Sequence, residues 1–108
     1  MSSEEFKQMA LSFPGTASQP HFNRTAFKVT GRRIFATLHG ESESVNIVLV
    51  PEEQKTFCTM DKAIYPVPNK WGVNGWATFE LSKLESSVIL DALNSAYEDV
   101  LKSKKKKG

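Results

Sequence analysis

The stretch His21 to Leu38, HFNRTAFKVTGRRIFATL, constrains the fold of this chain more than any other. Phe27 and Val29 alternate with Lys28 and Thr30. After Gly31-Arg32, Ile34, Ala36 and Leu38 alternate with Phe35 and Thr37. Alternation on both sides of a glycine turn is the pattern of a β-hairpin, and glycine at the first of two turn residues suits type II′. This register predicts Val29 opposite Ile34 and Phe27 opposite Ala36 on an apolar face. It sets Lys28 opposite Phe35 and Ala26 opposite Thr37 on the other, which is either a binding surface or a face covered by another segment. A slip of one residue would exchange the two faces.

The flanking segments supply layers around that hairpin. Ser2 and Glu5 have capping-box spacing, and Phe6, Met9, Ala10 and Phe13 follow at helical intervals until Pro14-Gly15. Thr16 to Asn23 reads as a polar connection. Val45 to Val50 reads as a third strand. Pro51-Glu52-Glu53 opens a short helix to about Met60, with proline at its first position and acids at the positive end of its dipole. Ala63 to Asn69 holds Pro66 and Pro68 and so is no central strand. Lys70 to Trp76, KWGVNGW, suggests a hairpin or bulged loop, and Trp76 to Leu81 a strand. Ser82 and Glu85 form a second capping-box pattern. Leu84, Val88, Ile89, Ala92, Leu93, Ala96, Tyr97, Val100 and Leu101 then trace one helical stripe. The expected fold is α+β: a two-layer sandwich, an antiparallel sheet with helices packed on one face. The open face, with Phe35, Val48 and Trp76, is free for solvent or a partner.

A chain of 108 residues suits one domain, taken as residues 1–101, followed by a basic and disordered tail at 102–108. The formal charge of +2 comes from that tail. Lys102 and Lys104 to Lys107 are five of the 14 bases, leaving nine against 12 acids. No acid falls between Glu5 and Glu41, or between Asp61 and Glu80. No apolar run is long enough for a membrane span, and the acidic, polar start MSSEEF is no secretory signal. With one cysteine, Cys58, a cytoplasmic monomer is the default expectation. His21, His39 and Cys58 are scattered without zinc-site spacing, so no metal and no cofactor are expected. Cys58 with a histidine base is the one conceivable nucleophilic pair, and no phosphate loop or nucleophile elbow is present, so an enzyme is not the expectation.

Taken in order, FPG after the first helix, PHFNRTAFKVTG in the hairpin, PEEQ after the third strand and WGVNGW before the last strand resemble the MmcQ/YjbR-like family over nearly the whole domain. The resemblance implies a CyaY-like fold and DNA binding through two hairpin wings. On this chain the wings would be the turn at Gly31, Arg32 and Arg33 and the loop Lys70 to Trp76, which are the two acid-free spans. Arg32 and Arg33 would reach phosphates or a groove, Lys28 and Lys70 would position the backbone, and Trp71 or Phe35 would stack on a base. So few bases imply weak, salt-sensitive binding. Frataxin-like iron binding is poorly supported, because the first helix offers only Glu4 and Glu5. The competing reading is a protein or small-molecule partner on the open sheet face, contacted by Phe35 and Trp76.

Overall fold

The computed structural model describes residues 1–102. Their elements run α1 (Ser3–Leu11), β1 (Thr16–His21), β2 (Arg24–Val29), β3 (Ile34–His39), β4 (Ser44–Val48), α2 (Pro51–Met60), β5 (Ile64–Pro66), α3 (Lys70–Val73), β6 (Trp76–Glu80) and α4 (Ser86–Lys102). The strands form one antiparallel sheet in the order β1-β2-β3-β4-β6-β5. Helix α4 runs through Lys102, past the expected domain limit. The rest of the expected tail lies outside the described residues.

Cross-strand rows sort the side chains onto two faces. Phe27, Ala36, Ile47 and Ala77 form one row and Leu38, Val45, Phe79 and Ile64 the next. All of these are buried. The Phe6 ring of α1 meets Phe27 edge-on at 5.6 Å, and Phe57 of α2 meets Phe79 at 5.9 Å. Ile89, Ala92, Leu93, Ala96 and Val100 of α4 complete the same core. The sandwich is therefore α+β with α1, α2 and α4 on one face, and burial of large side chains at roughly 1.5–3 kcal/mol each holds the layers together. Between those rows lie Ala26, Thr37, Asn46, Thr78 and Tyr65, a mostly polar row across five strands. They point to the opposite, open face.

Local signals behave as expected where one side chain decides them. The capping box forms: the Glu5 amide donates to Ser2 Oγ (3.1 Å) and the Ser2 amide to Glu5 Oε1 (2.9 Å). Helix α2 runs from Pro51 to Met60. The proline-bearing β5 is an edge strand.

Four expectations are corrected. First, the polar connection is the edge strand β1, whose side chains are mostly exposed. Its backbone ladder with β2, and not apolar alternation, makes it a strand. Second, Lys70 to Val73 is one helical turn and not a hairpin arm, and it sits at the rim of the open face. Third, Ser82 lies in a 3-10 turn (Leu81–Lys83), and α4 begins at Ser86 with Glu85 as first acceptor, taking the Val88 and Ile89 amides.

Fourth, the hairpin register holds only in part. Ala26 pairs with Thr37 and Phe27 with Ala36, but Lys28 pairs with Ile34, so neither Val29–Ile34 nor Lys28–Phe35 forms. The turn centres on Thr30-Gly31: the Arg32 amide donates to Val29 O at 2.8 Å, with Gly31 at φ 81°. Phe35 is thus the extra residue of a β-bulge, which re-aims a side chain across the sheet. Its ring is 0% exposed and meets Tyr97 of α4 at 6.1 Å. Burying a phenyl ring outweighs one regular ladder step, and the open face loses the aromatic that unbroken alternation gave it.

Candidate functional site

The two arginines at the β2–β3 turn engage the end of α4. An Arg33 Nη donates to Asp99 Oδ2 at 2.9 Å, and Arg32 Nη1 donates to Val100 O at 3.3 Å. Both link the turn to the helical layer, and Arg33 stays exposed. Lys28 is half-buried on β2, and Lys70 is exposed on α3.

The open face carries a cavity of about 330 Å³. Thr37 and Asn46 make its floor, with Arg24 beside them. One rim is the tip of the β1–β2 hairpin, His21 and Phe22; the other is Val67, Trp71 and Trp76. Of the expected site residues, Trp71 and Trp76 meet here; Lys28, Arg32, Arg33, Lys70 and Phe35 do not line the cavity.

Each wall has a local cause. His21 pairs with Arg24, so Phe22-Asn23 is a two-residue turn. Phe22 takes φ 58°, which glycine adopts without cost and a large aromatic does not. Its ring is 96% exposed, so no burial offsets that strain. Residues held this way cluster at functional sites. Across the cavity, Trp71 is 52% exposed and its ring stands nearly perpendicular to Trp76, at 6.4 Å and 80°. Asn69 caps α3 by accepting from the Trp71 amide at 2.9 Å. Gly72 and Gly75 permit the close fit behind the rings, since a Cβ at either would come within 1.9 Å of a backbone oxygen, that of Val67 or Leu49. Gln54 of α2 clamps the rim, its Nε2 donating to Gly72 O (2.7 Å) and Trp76 O (3.0 Å).

Two side chains of the cavity have donors to spare, Arg24 and Asn46. Arg24 Nε donates to Thr37 Oγ1 at 3.0 Å, which sets the guanidinium plane. Among the described residues its two Nη groups have no hydrogen-bond or ion-pair partner. Partial burial pushes its pKa down, because the charged form loses some of its hydration. Asn46 Oδ1 takes the Thr78 hydroxyl proton at 2.7 Å, leaving the Asn46 amide NH₂ as a donor.

Other candidates carry less. His39 Nδ1 bonds to Ser42 Oγ at 2.6 Å inside its own loop. Burial pushes the Cys58 thiol up, opposite to an activated nucleophile. Among the described residues no three His, Cys, Asp or Glu side chains group to hold a metal ion, and no helix is long and apolar enough to cross a membrane. Sequence reasoning missed Arg24, Thr37, Asn46, Phe22 and Gln54 as site residues. The polar Thr37 and Asn46 were visible at open-face positions of β3 and β4, but only strand order joins them.

The fold is shared with solved structures. A Deinococcus radiodurans protein with a DUF419 domain superposes with a TM-score of 0.81 at 18% identity, over 98% of this chain and 83% of that one. A Pseudomonas syringae protein gives 0.72 at 16%, over 93% and 99%. At such identities the likeness speaks for fold alone. A search of curated proteins finds no significant match. The YjbR family model matches residues 11–99, the span that holds every strand and both walls of the cavity, and the chain belongs to the YjbR family.

Proposed function

We propose that this YjbR-family domain is a binding protein that receives a small ligand in the cavity of its open sheet face. The observation that carries this reading is the pairing of Trp71 with Trp76 opposite the strained, exposed Phe22, above the polar side chains of Arg24, Thr37 and Asn46. A concave, largely apolar site with few convergent polar groups is what small-ligand recognition requires.

DNA binding through two wings is the second reading. It would use Lys28, Arg32, Arg33, Lys70 and Trp71. Its support is the family resemblance and the two acid-free spans. Against it stand the contacts of Arg32 and Arg33 with α4. Lys28 and Lys70 would then be the remaining phosphate contacts, and two such contacts give a shallow salt dependence.

One comparison separates the readings. A fluorescent duplex and a single strand are titrated into the full chain, Arg32→Ala/Arg33→Ala and Trp71→Ala at low and moderate salt, beside a small-molecule screen read by thermal shift. Cavity binding predicts small-molecule hits lost in Trp71→Ala and kept in the double arginine variant. Salt-sensitive duplex binding lost in the double arginine variant, with no small-molecule hit, would favour the wings.

A further inference from the structure

We infer that the ligand of the open-face cavity is a flat aromatic anion, its ring held by Trp71, Trp76 and Phe22 and its charged group by Arg24. The inference rests on the cavity reading above and gives it a chemical class.

Charge complementarity comes first. Arg24 is the one residue of the lining with a permanent charge, and no carboxylate lines the cavity. The acid on the same face of β6, Glu80, pairs with Lys83 at 2.9 Å. It stands opposite Ser44, beyond the Thr78–Asn46 pair that borders the floor. Arg24 is partly buried, its Nε is occupied by Thr37, and its Nη groups have no partner among the described residues. A partly buried guanidinium without a counter-ion among the described residues invites one, and its planar fork suits a carboxylate or a phosphate. The Asn46 NH₂ adds a second donor on the floor of the cavity, so an accepting group on the ligand finds two partners there.

The walls decide the rest. Trp71 and Trp76 stand at 80° and form a corner. A ring placed there stacks on one indole and meets the edge of the other, the two arrangements aromatic rings prefer. Phe22 offers a third, uncovered ring from the facing rim. A volume of about 330 Å³ is at the small end for ligand sites and fits one or two fused rings with one charged substituent, not a dinucleotide.

The chain has two tryptophans, and both border the cavity, so their two indole N–H cross-peaks in a ¹H–¹⁵N spectrum report on it directly. The probes are benzoate and phenyl phosphate, the neutral benzamide and benzyl alcohol, and the ringless acetate and inorganic phosphate. Expected is movement of both indole peaks with an aromatic anion, binding roughly tenfold or more tighter than its neutral counterpart, and loss of that preference in Arg24→Gln. Benzoate against phenyl phosphate tells which anionic group fits. The comparison of probes on the unaltered protein stands even if Arg24→Gln fails to fold. Equal binding of neutral and anionic rings overturns the anion assignment and leaves the cavity reading standing. Equal binding of ringless anions overturns the aromatic part. No movement of either peak with any probe at millimolar concentration overturns both readings.

Discussion

Replacing Gln54 tests how the helical layer governs the open face. Gln54 is 8% exposed, and its one amide nitrogen donates to the carbonyls of Gly72 and Trp76, the residues next to and within the tryptophan corner. Each carbonyl also accepts a backbone amide, Gly75 to Gly72 O at 3.1 Å and Val67 to Trp76 O at 3.0 Å. Gln54→Leu therefore orphans neither oxygen and loses only the net worth of two hydrogen bonds, about 2 kcal/mol. For a domain of this size that lowers Tm by on the order of 8 °C. Gln54→Glu is worse at neutral pH, because a buried carboxylate has no donor and faces two carbonyl oxygens. Burial would raise that carboxyl's folded pKa above its unfolded value, so the penalty is absent below the unfolded pKa and grows as pH rises through the window up to the folded one. Urea unfolding followed by far-UV circular dichroism at acidic and neutral pH measures both variants. The clamp argument fails if Gln54→Leu unfolds within about 0.5 kcal/mol of the parent, a margin typical of featureless surface changes. It fails equally if Gln54→Glu shows no added loss on going to neutral pH.

Phe22→Gly should leave stability unchanged or raise it by up to about 1 kcal/mol, because relief of the positive φ exceeds the entropy cost of glycine and no buried area is lost; the same variant should bind aromatic ligands more weakly, checked by thermal unfolding and titration. Gly75→Ala should destabilise by about 3 kcal/mol, since φ is 105° and the new Cβ meets Leu49 O; chemical denaturation measures it, and a near-neutral result would refute the close approach. The Glu80 carboxyl, held low by its hydrogen bonds from Lys83 and then Tyr65, should titrate below the usual glutamate range by NMR and return toward it in Lys83→Gln. Its folded pKa is depressed, so its contribution to stability is present above the unfolded pKa and is lost as pH falls through the folded one.

Much of the fold was legible because neighbouring residues decide it. The Ser2–Glu5 box, Pro51 at a helix start, the α4 stripe and the exclusion of Pro66 from a central strand each depend on a few adjacent side chains. The site was less legible. Arg32 and Arg33 look like free cations at a turn tip until α4 is packed beside them, and Asp99 is 66 residues away in sequence. Phe35 alternates onto the open face on paper, and a bulge turns it inward against Tyr97. β1 has no apolar alternation to read, because an exposed edge strand is held by its backbone.

By itself the sequence determined the class of fold, the family, the core faces of β4 and β6 and the extent of α2, since periodicity and caps act within a few residues. Only the tertiary structure decided where the proposed binding surface lies. Strand order brings Arg24, Thr37 and Asn46 side by side, and β1–β2 pairing raises Phe22 on one rim while Gln54 seats Trp71 and Trp76 on the other. Those relations join residues far apart in the chain, and no local propensity encodes them until the sheet is assembled.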